Sequence, residues 1–363
     1  MVKINSFLIV GAWIMLILFS TSCQTPVAQM DQAEMTLTAS PVALRPTLVQ
    51  VSTPTISVPR EPFIVHKKEF ENIEDVIWSP DGEKILISWS TAANPWHYRA
   101  SLYDVKTMEE TWVTETNKFF GQHPAYSLDG KYILTAAGYL PSIWDAATGK
   151  FIRDNSEGNA SVLFALHPDR DDVLFVAQSY SSGKDEFYTI LSTWNMTQDE
   201  LTMIVEQKGL LDRLEIRSDG NVLVLALDYE RIILWDVKIN TEKCTIPGKS
   251  PWFLSSSNDL WILDRGTIKI FNSETCELKK SFNTEPDVRD FVVSFDEALV
   301  GVLEQDYRVI KVYAIKDEKI SFVLEDKNFL VGKFSFSPNG RFIMAVTLEE
   351  NSFRDIVKIW EIP

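Results

Sequence analysis

At 363 residues, with 51 acidic and 35 basic side chains, the chain carries a formal charge of −16, which repels phosphate backbones and anionic lipid headgroups. Nucleic acid is therefore not expected as a partner, although acidity of this kind can also serve solubility alone. An apolar share of 45% with 12% aromatics supports one large all-β domain or two average ones.

Residues 1–22 open with Met1-Val2-Lys3, a minimal positive segment, and continue into an uncharged apolar run at 7–19. That run is too short for a comfortable membrane span and has the length of a signal-peptide core. It ends in Ser20-Thr21-Ser22-Cys23, where the chain resembles a bacterial lipoprotein precursor. The resemblance implies that Cys23 is lipidated and becomes the first mature residue, with Thr21 and Ser22 as the small residues before it. Ser20 departs from the usual aliphatic residue at its position. Removing residues 1–22, whose only charge is Lys3, takes the net charge from −16 to −17. The alternative is an uncleaved anchor helix, and both readings place the remainder outside the cytoplasm, held at a membrane of the bacterial cell envelope. Residues 23–62 are rich in Pro, Thr, Ser, Ala and Gln with repeated X-Pro pairs, which favour extended conformations over helix. They are expected to form a disordered tether holding the following domain roughly 35 Å from its anchor.

From residue 63 one unit recurs at a period near 40. Its clearest copy is SDGNVLVLALDYERIILWD at 218–236, a polar turn leading into two apolar runs. Such a hairpin, apolar on both faces, cannot bury itself alone. An aromatic landmark closes each unit: Tyr103, Trp144, Trp194, Trp235, Phe271, Tyr313 and Trp360. Upstream lie turns begun at Ser79, Ser127, His167, Ser218, Ser256, Ser294 and Ser337, with Asp, Asn or Gly where turn geometry needs them. Both series count seven units. Cys244 and Cys276 stand at different offsets from Trp235 and Phe271, so equivalent positions, and with them a disulfide, are not expected.

The motifs FSPNG at 336–340, WSPDG at 78–82, IWDAATGK at 143–150 and LWD at 234–236 resemble WD-repeat β-propeller sequence. The resemblance covers about 300 residues, residues 63–363. It implies an all-β, seven-bladed propeller of four-stranded antiparallel blades. The Gly-His pair that family carries before its innermost strand is absent from every unit, so the blades are expected to lean more on apolar packing. After Trp360 too little chain remains for a fourth strand in the last blade, and an open edge would result. The segment at 64–70 is expected to fill that place.

Four histidines, His66, His97, His123 and His167, show no metal-ligand spacing, and HExxH, CxxC, GxSxG and phosphate-loop motifs are missing. His167, beside Pro168, reads as a turn residue. The carboxylates in Asp169-Arg170-Asp171-Asp172 lack the register of a calcium loop and read as solvated charge. No catalytic residue, metal or cofactor is expected.

In a propeller the b–c loops and the d–a connections share one face around the channel mouth, and loops are where binding residues vary freely. The long b–c loops at 90–99, 180–187 and 349–355 offer Trp96, His97, Tyr98, Arg99, Tyr180, Lys184, Phe187, Phe353 and Arg354. The d–a connections add Phe119, Phe120, Asp212, Arg213, Trp252, Asp287 and Arg289. Aromatics with Arg are the residue types that dominate recognition hot spots; otherwise each packs back onto its own loop. The expected function is a monomeric, lipid-anchored scaffold or protein- and peptide-binding module without catalysis. Alternatives are a small-ligand binder or a hydrolase- or lyase-type enzyme using the central channel, or a subunit of an envelope assembly. Convergent titratable groups with shifted pKa at the channel mouth would favour the ligand or enzyme reading.

Overall fold

The apolar runs that made each unit legible have a simple cause. In the strand Val222–Leu227 every side chain is buried. Leu223, Leu225 and Leu227 pack with Phe175 and Leu191 of the preceding unit, and Val222, Val224 and Ala226 pack with Leu260 and Ile262 of the next. A strand covered on both faces has no polar alternation to show.

The computed structural model describes residues 63–65, 72–91, 94–114, 120–136, 141–153, 161–170, 172–183, 186–254, 256–282, 284, 288–304, 306–325, 329–349 and 354–363. These residues form seven four-stranded antiparallel sheets, the blades of a propeller. The innermost strands are Asn72–Trp78, Gln122–Tyr126, Ser161–Leu166, Leu211–Ile216, Lys249–Phe253, Val288–Val293 and Phe329–Phe336, in blades 1 to 7. The last blade takes its outermost strand from the start of the domain: Phe63–Val65 pairs antiparallel with Arg354–Glu361, with Ile64 opposite Lys358. The expected closure therefore occurs, over 63–65; residues 66–70 of that prediction lie outside the described residues, as do the signal segment, Cys23 and the tether. Asp355 adds a latch at the seam, its Oδ2 accepting the backbone N–H of Ile73 in blade 1 at 2.7 Å.

The turn between the first two strands of a blade is a hydrogen-bonded unit. Ser79 Oγ donates to Asp81 Oδ1 at 2.6 Å and accepts from Lys84 N at 2.9 Å, while Gly82 takes φ of 68°. Ser127 with Asp129, Ser294 with Asp296 and Ser337 with Asn339 repeat the pairing. His167 serves the same turn in blade 3, where Nδ1 accepts from Asp169 N at 3.2 Å. The landmark indoles also find local oxygens: Trp144 Nε1 donates to Thr135 Oγ1 at 3.1 Å, and Trp235 Nε1 donates to Asn240 Oδ1 at 3.1 Å. The blades thus supplement apolar packing with indole hydrogen bonds that need no histidine.

Three expectations require correction. In blade 4 the turn position equivalent to Ser79 is Arg217, not Ser218, because Gly220 N donates to Arg217 O as Gly82 N does to Ser79 O. Arg217 is only 4% exposed and forks onto Asp219 at 2.8 and 2.6 Å, while reaching Ser273 and Glu274 of blade 5. Secondly, Cys244 and Cys276 are joined by a disulfide. Their unequal offsets are what the bond needs, since it crosses from the outermost strand of blade 4, Thr241–Pro247, to the turn after Thr267–Asn272 in blade 5. Thirdly, the stretches taken as long b–c loops are paired at their ends: Thr91 stands opposite Asn94 and Trp89 opposite Arg99, in strands Lys84–Thr91 and Asn94–Asp104. Phe187 likewise begins a strand, and Glu349 and Arg354 stand opposite each other. Hairpin ends that project into solvent carry polar and aromatic residues, so composition does not reveal their pairing.

Candidate functional site at the channel mouth

Six of the seven innermost strands shift register near their first residues, at Ile73/Asp75, Gln122/Ala125, Leu211/Arg213, Lys249/Trp252, Val288/Asp290 and Val331/Lys333. A bulge inserts one unpaired residue and re-aims the side chains beside it. Here the bulges coincide with the polar residues of strands otherwise rich in apolar side chains. All six lie at the end fed by the d–a connections, so the polar groups ring one mouth of the channel.

The cavity they surround has a volume of about 570 Å³. Its ionisable lining comprises Asp75, His123, Asp212, Arg213, Glu215, Asp290 and Lys333, with Trp252 between blades 4 and 6. Two ion pairs span part of the ring. Lys333 Nζ lies 3.3 Å from Asp75 Oδ1 and donates to Glu74 O at 2.8 Å, while Arg213 Nε donates to Glu215 Oε1 at 2.7 Å. The Arg213 guanidinium also stands over the Trp252 indole, 5.7 Å from its centre. Four lining carboxylates against two permanent cations leave a net of −2, and the unmatched pair is Asp212 and Asp290.

Burial lowers the pKa of His123 against the pull of Asp75 and Glu74, which favours the neutral ring. Burial raises Asp212 to about 6, and the neighbouring Asp228 pushes in the same direction. Asp212 Oδ2 accepts from Tyr229 N, but Oδ1 is buried with no hydrogen-bond partner among the described residues. Arg213 is raised: desolvation opposes its charge, and Glu215, Asp290 and Asp75 together overcome it.

A pH-dependent stability difference follows from Asp212. Its folded pKa of about 6 lies above the ordinary 3.8, so the folded state holds the proton more tightly and loses that advantage as pH rises through 6. Asp212→Asn, which keeps an acceptor for Tyr229 N, is expected to stabilise the protein at about pH 8 and not at about pH 5. Solvent reaches part of this group, so the gain is about 1 kcal/mol. Urea unfolding at both pH values checks it, and an equal effect at the two would contradict the assignment.

Of the residues singled out from sequence, Arg213 and Trp252 are brought together at the mouth. Arg289 is half-buried above the Tyr307 ring at 5.2 Å. Tyr98 is buried between blades 1 and 2, its hydroxyl accepting from Gln122 Nε2 at 3.0 Å. Arg99 folds back over Trp89 at 5.1 Å and donates to Thr114 O at 2.8 Å, and Phe120 is a core residue. Tyr180 and Phe187 are exposed at the tip of blade 3, away from the mouth cavity, with Tyr180 stacked on Tyr188. Lys184, Phe353, Phe119 and Asp287, and the side chains of Trp96, His97 and Arg354, lie outside the described residues. Sequence reasoning missed Asp75, His123, Glu215, Asp290 and Lys333. The available signal was a charged residue four positions before the turn in four of the innermost strands: Asp75, Arg213, Asp290 and Lys333. Among the described residues no group of three or more His, Cys, Asp or Glu side chains could hold a metal ion.

No family model matches the chain, and no curated protein matches it in sequence. In structure it is similar to the β-propeller domain of Cps50 (Swd1) from Myceliophteria thermophila, with a TM-score of 0.63 and 14% identity. That match covers 84% of this chain and 100% of the other. At the level of fold this agrees with the seven-bladed architecture and with the WD-repeat resemblance. Because 1453 solved chains match, the fold by itself selects no function.

Proposed function

We propose that the chain is a non-catalytic protein- or peptide-recognition module, anchored through Cys23 outside the cytoplasm, whose contact surface is the face bearing the channel mouth. The observation that carries the recognition reading is how the mouth's charges are used. Both lining cations are held in ion pairs, Lys333 with Asp75 and Arg213 with Glu215, around an aromatic side chain. No nucleophile is hydrogen-bonded to His123 among the described residues, whereas general-base chemistry requires such contact. The extracytoplasmic reading draws support from the Cys244–Cys276 disulfide, because such bonds persist in oxidising compartments. The signal-like segment at 1–22 supports it independently.

One observation favours a second reading, a small-ligand binder or enzyme acting in the channel. Ionisable groups do converge on one cavity, with His123 lowered and Asp212 raised.

Photo-crosslinking in intact cells separates the two. A photoreactive residue at Tyr229, 68% exposed on the mouth face, is expected to capture a protein, and one at Leu128 or Phe295 on the opposite face is not. Capture only from the opposite face, or from neither, would overturn the recognition reading. Palmitate labelling lost in Cys23→Ser tests the anchor separately.

A further inference from the structure

The two ion pairs use Asp75 and Glu215, which leaves two lining carboxylates without an ion pair of their own, Asp212 in blade 4 and Asp290 in blade 6, beside the Trp252 indole in blade 5; Asp290 lies in the field of Arg213 without pairing to it. Asp290 has no ion-pair partner among the described residues, and its one hydrogen bond uses Oδ1, which accepts from Phe291 N at 2.9 Å. Asp212 has an oxygen without a partner. Anionic oxygens flanking an aromatic face are the ingredients of a cation site. The molecule already places one guanidinium there, since Arg213 stands over Trp252. We propose that the channel mouth binds the positively charged side chain, arginine or lysine, of an extended peptide, received beside Trp252 between Asp290 and Asp212.

A peptide fits better than a free amine because the cavity has an approach. A smaller groove of about 280 Å³ lies between the b–c turns of blades 4 and 5, lined by Tyr229, Pro247, Gly248, Lys249 and Arg265 among others. The strand Lys249–Phe253 begins in that groove and leads to Trp252 in the cavity. Gly248 lines that groove at φ 146°, and a Cβ there would press on the core side chain of Ile262 at 2.7 Å. The backbone of a bound chain would lie in the groove and deliver one side chain into the mouth. With its −16 charge the whole protein attracts such a ligand from a distance.

This inference rests on the mouth face being the contact face. It is tested with the full chain in detergent and the labelled peptide Gly-Ala-Arg-Ala-Gly, blocked at both ends, its lysine and citrulline counterparts, and free agmatine as competitor. Arginine or lysine is expected to bind about tenfold tighter than neutral, isosteric citrulline. Asp290→Asn should remove that preference without moving the melting temperature, and Trp252→Leu should weaken the charged peptides most. Equal binding of arginine and citrulline, or an unchanged preference in Asp290→Asn, would overturn the proposal. Agmatine binding as tightly as the peptide would overturn the peptide occupant. If Tyr229 crosslinks persist while charge preference is absent, only the cation inference fails; if the crosslinks are absent too, the recognition reading fails with it.

Discussion

Reduction of the Cys244–Cys276 bond is expected to lower the free energy of unfolding by about 3–4 kcal/mol and the melting temperature by several degrees. The bond closes a loop of 32 residues in sequence, and the expected cost is the chain entropy that such a loop removes from the unfolded state. It also fastens two neighbouring blades, so its loss concentrates opening at one seam of the ring. Beside that bond the two blades pack on one another: Leu234 and Ile246 of blade 4 cluster with Leu260 and Phe271 of blade 5. The measurement is thermal and urea unfolding before and after reduction, with thiol titration confirming the two new thiols, and Cys244→Ser with Cys276→Ser as the irreversible equivalent. An unchanged midpoint with both thiols free would show that the seam is held by other contacts.

The second large effect is expected at Arg217, on the same seam. Its guanidinium is almost fully buried, while its partners Asp219 and Glu274 are 42% and 39% exposed. The asymmetry sets an order. Arg217→Met leaves two carboxylates that water can still solvate, so the expected cost is about 1–3 kcal/mol, from lost hydrogen bonds. Removing both acids, as Asp219→Ala with Glu274→Ala, strands a buried cation with Ser273 alone and should cost about 3–5 kcal/mol. Finding the single cation variant less stable than the double acid variant would reject this account. The pH dependence has the opposite sign to that of Asp212. Hydrogen bonds from Arg217 hold Asp219 well below the usual carboxylate range, and Lys243 with Arg217 lowers Glu274. Their contribution is present above the ordinary carboxylate pKa and fades as pH falls through the lowered values. The seam should therefore loosen in acid, while ionisation of Asp212 costs stability toward alkaline pH.

How far the sequence could be read depended on which physical constraint each residue obeys. The turns at Ser79, Ser127, Ser294 and Ser337 were visible because Ser with Asp or Asn at fixed spacing performs local chemistry, as Ser79 and Asp81 do. Arg217 was hidden because an arginine at a turn serine position looks like surface charge until blade 5 supplies Ser273 and Glu274. The hairpin ends at 90–99 and 180–187 read as loops because their paired positions, such as Thr91 with Asn94 and Ser181 with Phe187, are too few to show an alternating pattern. Trp252 and Arg213 were singled out as residues of the d–a connections, although the structure places both inside innermost strands, Lys249–Phe253 and Leu211–Ile216. Asp290 and Lys333 sit in the same kind of strand, and without an aromatic or arginine side chain they read as part of its packing pattern.

The sequence by itself determined the repeat number, the all-β class, the closure of the ring by a strand from the start of the domain, and the net acidity. Each depends on local turn geometry, on two-sided burial of short strands or on composition, and these are written residue by residue. Tertiary structure alone decided that Cys244 meets Cys276, that Arg217 bridges two blades, and that a bulge in six innermost strands turns scattered charges onto one mouth. Those features join residues from different repeats, whose proximity depends on how the blades are set around the ring, and no spacing within one repeat records that arrangement.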